Sequence, residues 1–311
     1  MKTQLLRNQA VRAARAFFHE RGLLEVRTEK CVLSGAMEPY IDTFALQSRL
    51  SGHAGYLASS PEFAMKKIFA AEMQQNPAAN GIYEIAPVFR DDRTGRLHLT
   101  EFTMIEWYMR GSDRRDIISM AAELMRYVAT ATGTTIAPAV AAHIDLRAIL
   151  AAHGFSTDQK KALPYSDLYT RRFGKMPQHV NALDGEIVCF NLLFDEVVLP
   201  VLRETPGIVA VEGFPDCLAA LARTEGKIAA RTELFVAGVE LANAYLEESQ
   251  AETIRQRWNE YNEIRRLRGV PEHPIDEELL QACPTLHSVC GIALGLERLL
   301  LMLPALAPQV S

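Results

Sequence analysis

A glutamate set in an aromatic strand is the first residue here whose surroundings demand a partner. Residues 102–109, Phe-Thr-Met-Ile-Glu-Trp-Tyr-Met, are rich in β-formers. Period-two alternation places Phe102, Met104, Glu106 and Tyr108 on one face and Thr103, Ile105 and Trp107 on the other. A carboxylate among aromatics is costly to bury unless a cation meets it. That cation is either an internal arginine or the ammonium group of a ligand, for which Glu106 and Tyr108 would form a pocket. Arg90 ends the preceding β-rich segment, residues 83–90, across from this face. It is either a surface cation or a grip for a carboxylate or phosphate, the bidentate role that suits a planar guanidinium.

Glu233, Glu240 and Glu247 recur at sevens. On a helix they would form a solvated stripe, but the intervening Leu-Phe-Val-Ala-Gly-Val-Glu-Leu-Ala-Asn-Ala-Tyr is too apolar for an exposed face. As a strand, 241–247 puts Asn243, Tyr245 and Glu247 on one side, and Glu240 has the other parity. Glu233 and Glu240 can then share an ion only across a bend near Gly238 or at a bulge. Two carboxylates with phosphate oxygens would make an ordinary Mg2+ site. Further on, Gly291 and Gly295 allow a ligand close to the backbone. Arg298, one turn into an apolar helix, either stacks on a purine or caps a loop.

These residues need elements to hold them. The spacing of Val11, Ala14, Phe17 and Phe18 predicts a helix over 3–21, ended by Gly22. Segments 83–90 and 102–109 flank the polar, glycine-containing stretch 91–101, which predicts an antiparallel hairpin with a long tip. Helices are expected at 114–131 and 250–268, a strand pair over 233–247 turning near Ala237-Gly238, and a strand running into a helix over 291–303. Residues 132–200 read as short helices and loops inserted into the main fold. Strands without regular βαβ alternation argue for an α+β fold with an antiparallel sheet flanked by helices.

The chain has 311 residues, 33 Lys and Arg against 38 Asp and Glu, and a net charge of −5. That balance speaks against a protein that grips nucleic acid through phosphates. No apolar run approaches the roughly 20 residues of a membrane span, and the first residues lack the apolar block of a signal peptide, so a cytoplasmic location is expected. Five cysteines without a C-x-x-C pair suggest reduced thiols rather than a metal or disulfide framework.

Assembled in order, these residues resemble the catalytic core of class II aminoacyl-tRNA synthetases, in the lysyl branch. The early helix with Gly22-Leu-Leu-Glu-Val-Arg-Thr28 looks like motif 1, Phe89-Arg90 through Glu101-Phe-Thr-Met-Ile-Glu-Trp-Tyr108 like motif 2, and Gly291-Ile-Ala-Leu-Gly-Leu-Glu-Arg298 like motif 3. Ser59-Ser-Pro-Glu62 and Gly238-Val-Glu-Leu-Ala-Asn243 match further lysyl-type signatures. The likeness covers about residues 5–303 and is weakest across 132–200. Within the branch, the chain is most similar to the stand-alone paralogues that ligate a lysine-like amino acid to elongation factor P. Ala293 matches those paralogues at a position where lysyl-tRNA synthetases have Gly.

The resemblance implies one catalytic domain over 1–311 without an anticodon-binding domain, a homodimer formed through motif 1, and ATP and Mg2+ as cofactors. It implies adenylation of (R)-β-lysine or lysine and transfer to a lysine side chain of elongation factor P, and it counts against tRNA as the acceptor. Carried over residue by residue, Arg90 would hold the α-phosphate and the substrate carboxylate, and Phe102 and Arg298 would sandwich adenine. Asp92, Leu241 and Gly295 would border the nucleotide, and His98 would reach the outer phosphates. Glu106, Tyr108 and Glu247 would bind the terminal ammonium. Ser60 and Glu62 would orient the other amino group, with Asn243 nearby and Ala293 on the pocket floor. Glu233 and Glu240 would hold Mg2+. Glu29, Asp92, Leu99 and Glu248-Ser249 depart from the family pattern. Transfer to tRNA or another carrier, and a catalytically lapsed amino-acid-binding regulator, are the other readings.

Overall fold

The computed structural model describes residues 2–307, apart from 77, 137–138, 155–163, 179 and 181–182. The part of the 132–200 insertion at 155–163 therefore lies outside the described residues. Helix α1 (Lys2–Glu20) buries Ala10, Ala14, Phe17 and Phe18 and stops before Gly22, whose φ of 71° a side chain would disfavour. Next come β1 (Leu24–Glu25), β2 (Cys31–Val32), β3 (Ala45–Gln47), β4 (Ala54–Leu57) and α2 (Glu62–Gln75). The long hairpin is β5 (Gly81–Phe89) with β6 (Glu101–Arg110), and α3 (Arg114–Ala131) follows, started by an Asp113–Asp116 capping box. The insertion holds β7 (Ala142–Asp145), α4 (Leu146–Ala152), α5 (Tyr165–Phe173) and α6 (Gly185–Leu193), which runs through a π-helical turn into α7 (Leu199–Glu204). After β8 (Ile208–Glu212), β9 (Thr224–Glu225) and β10 (Ile228–Ala229) come the paired β11 (Arg231–Val236) and β12 (Val239–Leu246). The chain closes with α8 (Ala251–Leu267), α9 (Glu277–Ala282), β13 (Val289–Gly295) and α10 (Leu296–Leu306).

Eight strands form one sheet in the order β1-β5-β6-β13-β12-β11-β8-β7. The six central strands pair antiparallel, as expected, whereas β1 joins β5 and β7 joins β8 in parallel. The insertion thus supplies an edge strand as well as helices. A three-stranded sheet, β2-β4-β3, and helix α2 complete the wall beside the hairpin. Pro87 stands in β5 beyond the two residues where β1 pairs, so its missing N–H leaves no ladder bond unmade.

One face of the sheet is an apolar core. Ile105 and Trp107 of β6, Ile292 and Leu294 of β13, Ala242 and Ala244 of β12 and Leu234 of β11 are buried with α1, α3 and α10. The opposite parity of the same strands carries the charged residues.

Candidate active site

Residues facing one another across strands share a face, so the register aligns them in rows. One row reads Glu84, Glu106, Ala293, Asn243 and Glu233 across β5, β6, β13, β12 and β11. The next reads Ile82, Tyr108, Gly291, Tyr245 and Arg231. A bulge resolves the parity of Glu240: the β11–β12 register shifts between Leu234 and Phe235, which makes Phe235 the partner of Glu240. Glu240 thereby joins the face of Glu233, Asn243, Tyr245 and Glu247. Leu241, the extra residue, packs its side chain in the core behind the sheet and borders the cavity at the bulge. The turn that feeds the bulge has Ala237 at φ 48° and Gly238 at φ 75°, the paired left-handed geometry of a tight hairpin.

This face floors a cavity of about 1980 Å³, larger than the 300–1,000 Å³ usual for one small ligand and roomy enough for a nucleotide beside an amino acid. Ser60, Glu62, Arg90, Asp92, His98, Phe102, Glu106, Tyr108, Glu233, Glu240, Leu241, Asn243, Glu247, Ala293, Gly295 and Arg298 all border it. The sequence-predicted residues are therefore brought together.

Glu106 is 2% exposed and accepts hydrogen bonds from the Tyr108 hydroxyl at 2.6 Å and the Ser60 hydroxyl at 2.8 Å. Among the described residues no cation forms an ion pair with it, although Lys66 acts on it from farther off. Burial, reinforced by the charge of Glu62, pushes its carboxyl up to about 8 despite the two hydrogen bonds. Ser60 is thus committed to the same carboxylate as Tyr108, not only to the loop where Glu62 begins. Glu84, directly opposite Glu106, is handled differently. It is buried off the cavity and satisfied by Lys30 Nζ at 2.8 Å, Thr28 Oγ1 at 2.7 Å and the Thr28 N–H.

Glu62 and Glu247 share Lys66, whose Nζ is 2.7 Å from one carboxylate and 2.5 Å from the other. Burial would lower the lysine, but Glu247 and then Glu62 raise it well above its ordinary value, so it is charged. Gly291 makes room for this arrangement: a Cβ there would lie 2.3 Å from the Tyr108 ring and 2.5 Å from Glu247 Oε1.

At the hairpin-tip end of the cavity, Arg90 donates to the Ser59 carbonyl at 3.3 Å and lies 5.4 Å from the Phe102 ring centroid. Asp92 and His98 bind each other at 2.6 Å on the exposed hairpin tip, and the histidine bond holds Asp92 below its ordinary value. Arg298 donates to the Leu97 carbonyl at 3.1 Å and the Glu240 carbonyl at 3.1 Å, with the Glu240 carboxylate 3.7 Å away. It ties the hairpin tip to β12, the loop-capping alternative, while still bordering the cavity.

Glu233 is ion-paired with Arg231. Burial and the charge of Glu240 nevertheless push it upward, with Arg231 opposing. Two acids that repel one another on one face fit a divalent cation. No group of three or more His, Cys, Asp or Glu able to hold a metal occurs among the described residues, so phosphate oxygens and water would have to complete its shell.

Lys66, Arg231 and Glu38 are site residues that sequence reasoning missed. Glu38 borders the cavity and is raised by burial and by Glu62. Lys66 had a signal: it interrupts the apolar stripe Met65, Phe69, Met73 of α2 one turn after Glu62.

The family described as tRNA synthetases class II (D, K and N) matches residues 1–307. The chain belongs to that family, whose members activate amino acids with ATP. Its relatives include proteins named elongation factor P–(R)-β-lysine ligase. The one from Erwinia tasmaniensis is 32% identical over 99% of this chain and 92% of that protein. Those from Pectobacterium carotovorum and Pseudoalteromonas translucida are 30% and 32% identical over 96% of this chain and 90% of their own length.

Proposed function

We propose that this protein is an ATP-dependent ligase that adenylates (R)-β-lysine or lysine and transfers it to a lysine side chain of elongation factor P. The observation that carries the reading is Glu106: a buried carboxylate held by neutral donors alone, at the floor of the cavity that Arg90 borders. An amino acid with its carboxylate at Arg90 and a terminal ammonium at Glu106 and Tyr108 would satisfy both ends. Glu247 lies at the far end, ion-paired with Lys66, and Ala293 and Asn243 lie between.

The substrate carboxylate attacks the α-phosphorus of ATP, the bond to the bridging oxygen breaks, and pyrophosphate leaves. Arg90 would neutralise charge that develops on the α-phosphate, and holding the two reactants in one cavity removes much of the entropic barrier. Phe102 offers a ring for adenine, with Arg298 fixing the hairpin tip that covers it. Bound at Glu233 and Glu240, Mg2+ would supply Lewis-acid neutralisation of the phosphates. In the second step an acceptor amine attacks the acyl carbon and AMP leaves as the amide forms. The names of the relatives support elongation factor P as the acceptor. A homodimer fits the exposed apolar residues near β1 and β2, where Leu24 and Leu33 are 51% and 75% exposed. No described helix is long and apolar enough to cross a membrane.

Intact mass of elongation factor P after incubation with ATP and each lysine isomer tests the reading. A gain of one lysyl residue is expected. An unmodified factor, with mass gain on tRNA instead, would overturn the acceptor assignment.

A further inference from the structure

Helix α2 turns its apolar side, Met65, Phe69, Ala70 and Met73, into the protein, and Lys66 goes in with them at 2% exposure. A lysine so placed is costly to desolvate unless its charge is matched, and here two carboxylates match it at 2.7 and 2.5 Å. Both carboxylates border the cavity, whereas Lys66 does not. It stands behind them, with Nζ 5.8 Å from the centroid of the Tyr108 ring. Glu106 and Tyr108 of β6, Glu247 after β12, Glu62 of α2 and Cys283 after α9 are the titratable groups that face it.

We propose that Lys66 is the gauge of substrate length: its ammonium, held between Glu62 and Glu247, fills the position that the terminal ammonium of a longer diamino acid would take, and so directs a lysine-length substrate onto Glu106. The inference rests on the reading of the cavity as a diamino-acid site and adds the residue that limits its reach. Lys66 takes up the charge of Glu247 and part of that of Glu62 internally, whereas Glu106 forms no ion pair among the described residues. Removing the lysine side chain would open a slot that already carries two acceptors at ammonium distance. Gly291, having no Cβ, leaves room for Glu247 and Tyr108 on that side of the slot. Lys66 acts through Glu62 and Glu247 and touches no reacting atom, so it is a positioning residue.

The test is the ratio of kcat/KM for lysine to that for homolysine, one methylene longer, in amino-acid-dependent exchange of pyrophosphate into ATP. Damage to the fold lowers both rates and leaves the ratio alone. The wild type should favour lysine at least tenfold, and Lys66→Ala should move the ratio at least tenfold toward homolysine with KM for ATP little changed. Lys66→Gln, which keeps most of the volume, should move it at least threefold in the same direction. An unchanged ratio in either folded variant overturns the inference, as does a wild type that uses both amino acids equally. A wild type with no exchange for any diamino acid overturns the proposed function and this inference together.

Discussion

The two faces of the main sheet are built from the same strands and serve opposite ends. Behind the sheet, Ile105, Trp107, Ile292, Leu294, Ala242 and Ala244 meet α1, α3 and α10 in an apolar layer. In front, one residue out of step, Glu106, Tyr108, Gly291, Ala293, Asn243 and Tyr245 border the cavity. Burial of the first set stabilises the fold, and burial of the second is a cost that only partners repay. Within the front face, Glu84 and Glu106 stand opposite each other and repeat the contrast. Glu84 has Lys30, and Glu106 forms no ion pair among the described residues.

Substitutions on the two faces should separate stability from activity. Trp107→Ala on the back face should cost about 3–5 kcal/mol of stability through the cavity it leaves, read as a lowered midpoint of denaturant unfolding. Glu106→Gln should leave that midpoint near the wild-type value. It should remove on the order of 2–5 kcal/mol from use of the amino acid, roughly 30- to several-thousand-fold in exchange activity. A well-folded Gln variant with near-normal exchange would end the pocket assignment. Gly291→Ala forces a methyl against Tyr108 and Glu247 and should cost about 1–3 kcal/mol, with KM for the amino acid rising more than KM for ATP. Ala293→Gly should act least: one methyl is worth about 1–3 kcal/mol of discrimination at most, and the ratio of kcat/KM for (R)-β-lysine and lysine should drift toward lysine. If only stability changes, Ala293 merely packs β13.

How much of this was readable depends on element length. Helix α3 lies at 114–131 as expected, and the alternation over 102–108 assigns each side chain to its observed face, because ten residues of strand show their period. Strands β1 to β4 and β7 have two to four residues, too few to display one. The parity of Glu240 depended on a bulge that no residue type announces. Lys66 stands four residues after Glu62, the spacing of an ordinary exposed helical pair, and only the apolar stripe around it marks this side of α2 as buried. The charge of the pocket is therefore set by a contact that only the fold reveals.

The most direct measurement of the central claim is the pH dependence of lysine-supported pyrophosphate exchange in the wild type and in Glu106→Gln. Glu106 is raised to about 8, so at lower pH it carries a proton that must leave before an ammonium can pair with it. The native state then holds more protons than the unfolded chain, and ionisation of this group lowers stability as pH rises from the ordinary carboxylate range toward 8. Substrate binding has the opposite sign: the half-saturating lysine concentration should fall by up to about tenfold per pH unit between 6 and 8 and level off above. The Gln variant should be weak and flat across the same range. A wild type with no such slope, or a Gln variant that keeps it, would contradict the account.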